Sequence, residues 1–216
     1  MAVIDAHAHI YPNKIASKAV EAVGDFYNVD MFGDGTADGL LAAKDRAPIT
    51  HFIVHSVATT AHAVTAINDF IAKQCQAHPE FIGFAAMQQD FEDPAAELQR
   101  AVELGLRGVK LHPDTQKVDM DDPRLMEVYA ICEQLGLPVV IHTGDYRYDY
   151  SHPRRLVYIL RTFPVLVVDA AHFGCWSRYE VGYDILHEVA MNDHVFLDES
   201  SSQFSLGQRR TVELTR

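Results

Sequence analysis

The sequence predicts an α/β fold of the TIM-barrel, (β/α)8 type, forming a single domain over residues 1–216. Three observations carry this. Apolar runs rich in β-branched or aromatic residues alternate with longer segments of helical periodicity. No Gly-rich phosphate turn follows the first run, which disfavours a doubly wound dinucleotide-binding sheet. Ligand-type polar residues stand at the C-terminal ends of the first, fourth, fifth, sixth and seventh runs. An open sheet gathers its site at one crevice, whereas a barrel draws on many strand ends.

The predicted strands are 2–9, 51–56, 81–86, 108–112, 138–142, 165–172 and 195–198, with helices over 61–77, 94–104, 123–135, 152–163 and 178–191. Asp93-Pro94 and Asp122-Pro123 each place an acidic cap before a proline in the first turn, and Ser151-His152-Pro153 reads as a third such start. Gly136 sits where a C-terminal cap belongs. Residues 11–48 are irregular: a helix-like segment near 13–23, a Gly/Asp-rich stretch over 33–39, then a short amphipathic run to 47. An insertion near 25–48 between strands one and two lies on the face that bears the site, either as a cap or as a surface loop.

Composition narrows the class. With 48% hydrophobic and 22% charged residues the chain is an ordinary globular one. No stretch approaches the roughly 18 apolar residues of a membrane span. The opening residues lack a basic, apolar leader pattern, so the expected compartment is the cytoplasm. Net charge is −12, which argues against nucleic acid as a partner. Cys75, Cys132 and Cys175 are odd in number and form no CxxC pair, as expected of a reducing compartment. The unusual count is histidine, 12 in 216 residues.

Strand alternation puts Asp5, His7 and His9 on one face of the first strand and Ala6, Ala8 and Ile10 on the other. Imidazoles at i and i+2, about 6–7 Å apart at the backbone, can converge on one divalent ion. The alternative is a pair of core histidines satisfied by hydrogen bonds. His142 and His172 each close a later apolar run, and either could be a further ligand or a proton shuttle. Lys110 shares a face with His112 at the end of the fourth strand. If that face is inward, the buried cation calls for a substrate carboxylate or, as a carbamate, for two metals. A lysine reaching to the rim is the alternative. Asp145 opens a polar aromatic loop, 145–150, with the composition of a substrate-contacting segment or of an ordinary surface loop.

Other constellations carry less. Ser200–Ser202 lack the G-x-S-x-G context of a nucleophile elbow. Asp184 and His187 read as a solvated helix face, and His55, His62, His78 and His194 have no spacing that calls for chemistry. Glu199 beside Asp198 is a loop carboxylate with a weak case as acid or base.

Asp5-Ala-His7-Ala-His9, Val-Lys-Leu-His-Pro at 109–113, Val-Ile-His142-Thr-Gly, Ser151-His-Pro-Arg-Arg-Leu156, Ala-Ala-His172-Phe-Gly and Phe-Leu-Asp198 follow in that order. As a set, over residues 2–202, they resemble the amidohydrolase-2 group of TIM-barrel metal-dependent hydrolases, the relatives of aminocarboxymuconate-semialdehyde decarboxylase. The resemblance implies that His7, His9 and His142 ligate one divalent ion, with zinc the first choice, and that His172 is the catalytic histidine. It also implies an aspartate ligand at the end of an eighth strand. After its seventh strand the sequence runs 200–216 without such a strand, and Asp198 matches the seventh-strand aspartate instead. The expectation is a chain that stops before the native protein does; a shortened homologue, inactive or completed by a partner, is the alternative.

The resemblance therefore leads to a metal-dependent hydrolase in which metal-activated water attacks an amide, ester or lactone of a small molecule. Lys110, His112 and Asp145 would bind the substrate. The rival is a metal-dependent non-oxidative decarboxylase of a small carboxylic acid, and a third reading is a barrel that has lost its site. No nucleic-acid or membrane partner is expected, and homo-oligomerisation is left open.

Overall fold

The computed structural model describes residues 3–177, 179–186, 193–202 and 206–207. Its strands are β1 (Ile4–His9), β2 (His51–His55), β3 (Phe81–Gly83), β4 (Ala85–Ala86), β5 (Val109–Leu111), β6 (Val139–Ile141), β7 (Val168–Ala170) and β8 (Val195–Phe196). All neighbouring pairs are parallel, in the orders β1-β2-β3 and β4-β5-β6-β7-β8. β3 and β4 are two halves of the strand expected at 81–86. The Phe84 N–H donates to Val54 O (2.9 Å) and the Ala85 N–H to Gly108 O (2.7 Å). Successive amides of one strand thus point to opposite neighbours, and the two short sheets are one. Seven strand positions follow in chain order, as expected. Among the described residues no ladder joins β8 to β1; the two edges meet through side chains instead.

Helices α1 (Asn13–Tyr27), α2 (Ala37–Leu41), α3 (Val64–Ala77), α4 (Pro94–Glu103), α5 (Pro113–Gln116), α6 (Pro123–Leu135), α7 (Pro153–Thr162) and α8 (Tyr179–Leu186) fill the connections. Their starts follow the capping chemistry read from the sequence. Asp93 accepts from the Ala96 N–H and Asp122 from the Arg124 N–H, each ahead of a proline at the first position. At α7 the cap is the His152 ring, which accepts from the Arg154 N–H at 3.2 Å. Gly136 takes the left-handed φ of 66° that ends α6. The remainder of the helix expected over 178–191, with His187, lies outside the described residues.

Phe52 and Val54 on β2, Val109 and Leu111 on β5, and Val139 and Ile141 on β6 pack in one core with Ile71, Leu98, Leu125, Val128 and Leu156 of the covering helices. α5 was not anticipated. His112 and Pro113 leave β5 directly into this single turn, which places Asp114 beside the strand ends. The strand over 165–172 is shorter than expected at both ends, and just past its C-terminal end the chain turns left-handed at His172 and Phe173, with φ of 62° and 52°.

Candidate metal centre and active site

The register of β1 against β2 slips between Asp5 and Ala8: Asp5 pairs with Phe52, but His9 pairs with His55. Phe52 and His55 lie on opposite faces of β2, so Asp5 does not share the histidine face as strict alternation required. Its carboxylate accepts from the His7 N–H at 3.1 Å instead, which suits an extra residue in the strand. His7 and His9 still converge, with their Nε2 atoms 3.3 Å apart.

His7 is oriented from behind. Its Nδ1–H donates to Asp198 Oδ2 at 2.7 Å, which leaves the Nε2 lone pair facing His9 and the Lys110 Nζ, 3.2 Å away. A carboxylate behind an imidazole is how metal-binding histidines are commonly held. Asp198 Oδ1 accepts from the N–H groups of His172 (3.2 Å) and Ser200 (2.9 Å) and from the Ser200 hydroxyl. Its interactions with His7 and His172, together with the hydrogen bonds from His7 and Ser200, hold the Asp198 carboxyl far below the usual carboxylate range against its burial. Burial, and then Lys110, push His7 below its ordinary value.

His55 was set aside on the sequence, and the structure places it in this cluster. It is fully buried, its ring centroid 4.4 Å from that of His9 and 4.9 Å from that of His7. Ligand-type nitrogens of His7, His9 and His55 all lie within 4.8 Å of one another. Burial drives His9 and His55 well below the ordinary imidazole range, so both are neutral, the ligating form. His9 Nδ1 and both His55 nitrogens are buried without a hydrogen-bond partner, an arrangement that costs about 1–3 kcal/mol per group when nothing is bound. This donor set fits a first-row divalent ion.

A second group collects at the ends of β5 and β6. His112, Asp114 and His142 have ligand-type atoms mutually within 4.8 Å. The two rings stack at 4.1 Å and 6°, and Tyr27, at the end of α1, bonds through its hydroxyl to His112 Nε2 at 2.7 Å. Asp114 Oδ2 accepts from the Ser151 hydroxyl (2.7 Å) and lies 3.3 Å from His142 Nε2, while Asp114 Oδ1 and His142 Nε2 are buried without a hydrogen-bond partner. Burial pushes the Asp114 carboxyl up to about 7. His142, expected with His7 and His9, has its nearest ligand-type neighbours in His112 and Asp114. His172 stands between the two groups: its Nε2 is 3.0 Å from His142 Nδ1, and its ring stacks on His7 at 5.3 Å. The Nδ1–H of His172 donates to Ser200 O at 2.7 Å, and burial brings its pKa down to about 3.

Lys110 is inward and buried (1% exposed), so it does not reach the rim. Burial pulls its pKa down to about 8, against the nearby charges of Asp198 and Asp169. Asp145 is buried with both carboxylate oxygens on Arg147, whose guanidinium lies over Phe26 (4.7 Å) and Tyr148 (5.2 Å). The loop after β6 is thereby fastened to α1. Gly144 lets this loop pass close to Cys175: a Cβ there would lie 2.4 Å from the Cys175 Cα, at a left-handed φ of 82°.

Sequence reasoning passed over His55, Tyr27, Asp114 and Ser200 and gave Asp198 no role in holding His7. For His55 a signal existed, since Phe52-Ile-Val-His55 closes an apolar run on histidine as Val139-Val-Ile-His142 does.

The amidohydrolase family model (Amidohydro_2) matches residues 4–200. Over 82 residues the chain is 37% identical to 2-amino-3-carboxymuconate-6-semialdehyde decarboxylase of Dictyostelium discoideum, a stretch covering 37% of this chain and 23% of that protein. An uncharacterised TIM-barrel protein from Bordetella bronchiseptica superposes with a TM-score of 0.74 at 19% identity, over 99% of this chain and 81% of that one. The 5-carboxyvanillate decarboxylase of Novosphingobium aromaticivorans, solved with manganese and 4-hydroxy-3-methoxy-5-nitrobenzoic acid, superposes with a TM-score of 0.65 at 15% identity, over 99% and 82% of the chains. At such identities these likenesses show the barrel fold.

Proposed function

Because the chain belongs to the amidohydrolase family, we propose that it is a divalent-metal-dependent enzyme that removes a carboxyl group from a small organic acid without oxidation. One observation carries this reading. Lys110 is a buried ammonium at the histidine cluster, 3.2 Å from His7 Nε2, and none of the ion pairs among the described residues includes it. A desolvated cation of this kind is stabilised by an anionic substrate group. The decarboxylases among the similar proteins support the same choice.

His7 and His9 would hold the ion, with His142, grouped with His112 and Asp114, joining them from across His172; the ion would be zinc by donor type or manganese as in the structural neighbour. When bound, the metal would supply Lewis acidity at a substrate oxygen. Lys110 Nζ would hold the carboxylate. As the bond to CO2 breaks, the electron pair stays on carbon and a proton takes the place of the lost group. That proton would pass through His172 Nε2, because His172 Nδ1 is committed to Ser200 O. His112 would face the substrate with Tyr27, and Asp145 would act through Arg147. Residues 25–48 would belong to the cap over the site, and the enzyme would be cytoplasmic.

Hydrolysis of an amide, ester or lactone is the second reading. It is favoured by the place of His172 between the two histidine groups, its ring stacked on His7 and its Nε2 3.0 Å from His142 Nδ1, where a neutral imidazole could take a proton from water. The metal-loaded protein in 18O-water, given aromatic and unsaturated acids and lactones, separates the two. CO2 release without 18O in the remaining product supports decarboxylation. Incorporation of 18O into a new carboxylate without CO2 release overturns it in favour of hydrolysis.

A further inference from the structure

The second strand ends on a histidine that the mechanism above leaves idle. Register pairs His55 with His9 on adjacent parallel strands, so the two side chains leave the sheet on the same face, about 4.8 Å apart at the backbone. The His55 ring stands edge-on to both neighbours, at 87° to His9 and 73° to His7. A neutral imidazole carries one N–H and one lone pair, and here both are buried with no partner. The apolar work of the strand is done from its other face, by Phe52 and Val54. A residue needed only for packing at position 55 would have no use for two ring nitrogens. What His55 does have within 4.8 Å is ligand-type nitrogen from His7 and His9.

We infer that His55 is a ligand of the same divalent ion that His7 and His9 hold, adding an imidazole from β2 to those from β1. The inference rests on the metal reading above and enlarges its ligand set beyond the residues that the family resemblance names. Its consequence is local: the ion would be anchored on the β1–β2 edge of the site, with Lys110 and His172 on its open side.

The test uses the whole chain, freed of metal with a chelator and titrated with Zn2+ against a competing chromophoric chelator. His55→Gln and His55→Ala are compared with wild type, with His7→Ala, and with His62→Ala in the 3-10 turn before α3. Losing a partner that merely orients a ligand weakens metal binding about 10–100-fold, so losing a ligand should weaken it by at least about 100-fold in both His55 variants. His62→Ala should bind as wild type does. If His7→Ala abolishes binding while folded His55 variants keep wild-type affinity, His55 is not a ligand and the metal site stands. If His7→Ala also binds as wild type, the metal reading itself fails. A crystal structure of the Zn2+-loaded wild type decides independently of how the variants fold. A His55 nitrogen about 2.0–2.1 Å from the ion supports the inference, and an ion held without it overturns it.

Discussion

Replacing Asp198 by Asn changes one atom and reverses a proton. In the native site Asp198 Oδ1 gathers three donors, the N–H groups of His172 and Ser200 and the Ser200 hydroxyl, while Oδ2 receives the Nδ1–H of His7. An Asn side chain that turns its amide NH2 toward the three donors loses all three bonds, at about 1 kcal/mol each. It therefore turns its oxygen toward them and its NH2 toward His7. His7 must then accept at Nδ1 and carry its proton on Nε2, the atom 3.3 Å from His9 Nε2. A protonated nitrogen cannot ligate. Restoring the ligating tautomer means breaking the new hydrogen bond, and the expected loss of Zn2+ affinity is about 10–100-fold, or about 1.4–2.7 kcal/mol.

Competition titration of metal-free protein measures that loss, and denaturant unfolding of the same samples measures stability. D198N should unfold close to wild type because its three donors stay satisfied. D198A orphans them and should lose about 2–4 kcal/mol. If D198N binds Zn2+ within about twofold of wild type, the orienting role of Asp198 is refuted. If it is destabilised as much as D198A, the amide orientation argued above is wrong.

Three further outcomes are expected. K110M keeps the length of the side chain without its charge; the metal-free protein should be at least as stable as wild type, since a buried cation has gone whose desolvation outweighs the nearby charges of Asp198 and Asp169. Removing a desolvated charge partner costs about 2–5 kcal/mol, so kcat/KM for a carboxylate substrate should fall at least about 30-fold; an unchanged value would remove Lys110 from the site. N68A deletes the buried amide that accepts from the Ala86 N–H (2.7 Å) and donates to Glu97 (2.7 Å). It should cost about 2–3 kcal/mol in unfolding with Zn2+ affinity unchanged, which separates fold from site. Zn2+ at a hundred times its Kd should stabilise the chain by about 2.7 kcal/mol, raising the melting temperature by roughly 5–10 °C; chelator should reverse the shift, and a chelator-insensitive transition would count against the metal site.

What could be read in advance is what local rules govern. Strand-end histidines at 7, 9, 142 and 172 follow from run lengths and alternation, and the helix starts follow from Asp-Pro capping; alternation put Lys110 on the face of His112 but left open whether that face was inward, which the structure decides. The slip in β1 could not be read, because a bulge depends on the neighbouring strand's register, and it moved Asp5 off the histidine face. Tyr27 meets His112 across 85 residues and Asp198 meets His7 across 191. Such pairings are decided by how the strands follow one another around the barrel and leave no trace in local spacing.

The non-local contacts also explain why the backbone at the sixth strand position is held in an unfavourable conformation. His172 and Phe173, at φ of 62° and 52°, each occupy the left-handed region, at a cost of order 1–3 kcal/mol apiece. Asp198 offsets this from the neighbouring strand: its Oδ1 accepts from the His172 N–H and its main-chain O from the Phe173 N–H (2.7 Å). The same residue orients the His7 ring. One side chain therefore sets both the imidazole that faces the proposed metal and the imidazole proposed to move the proton. A change at 198 must disturb the two together, and a change at His172 alone should leave the orientation of His7 intact.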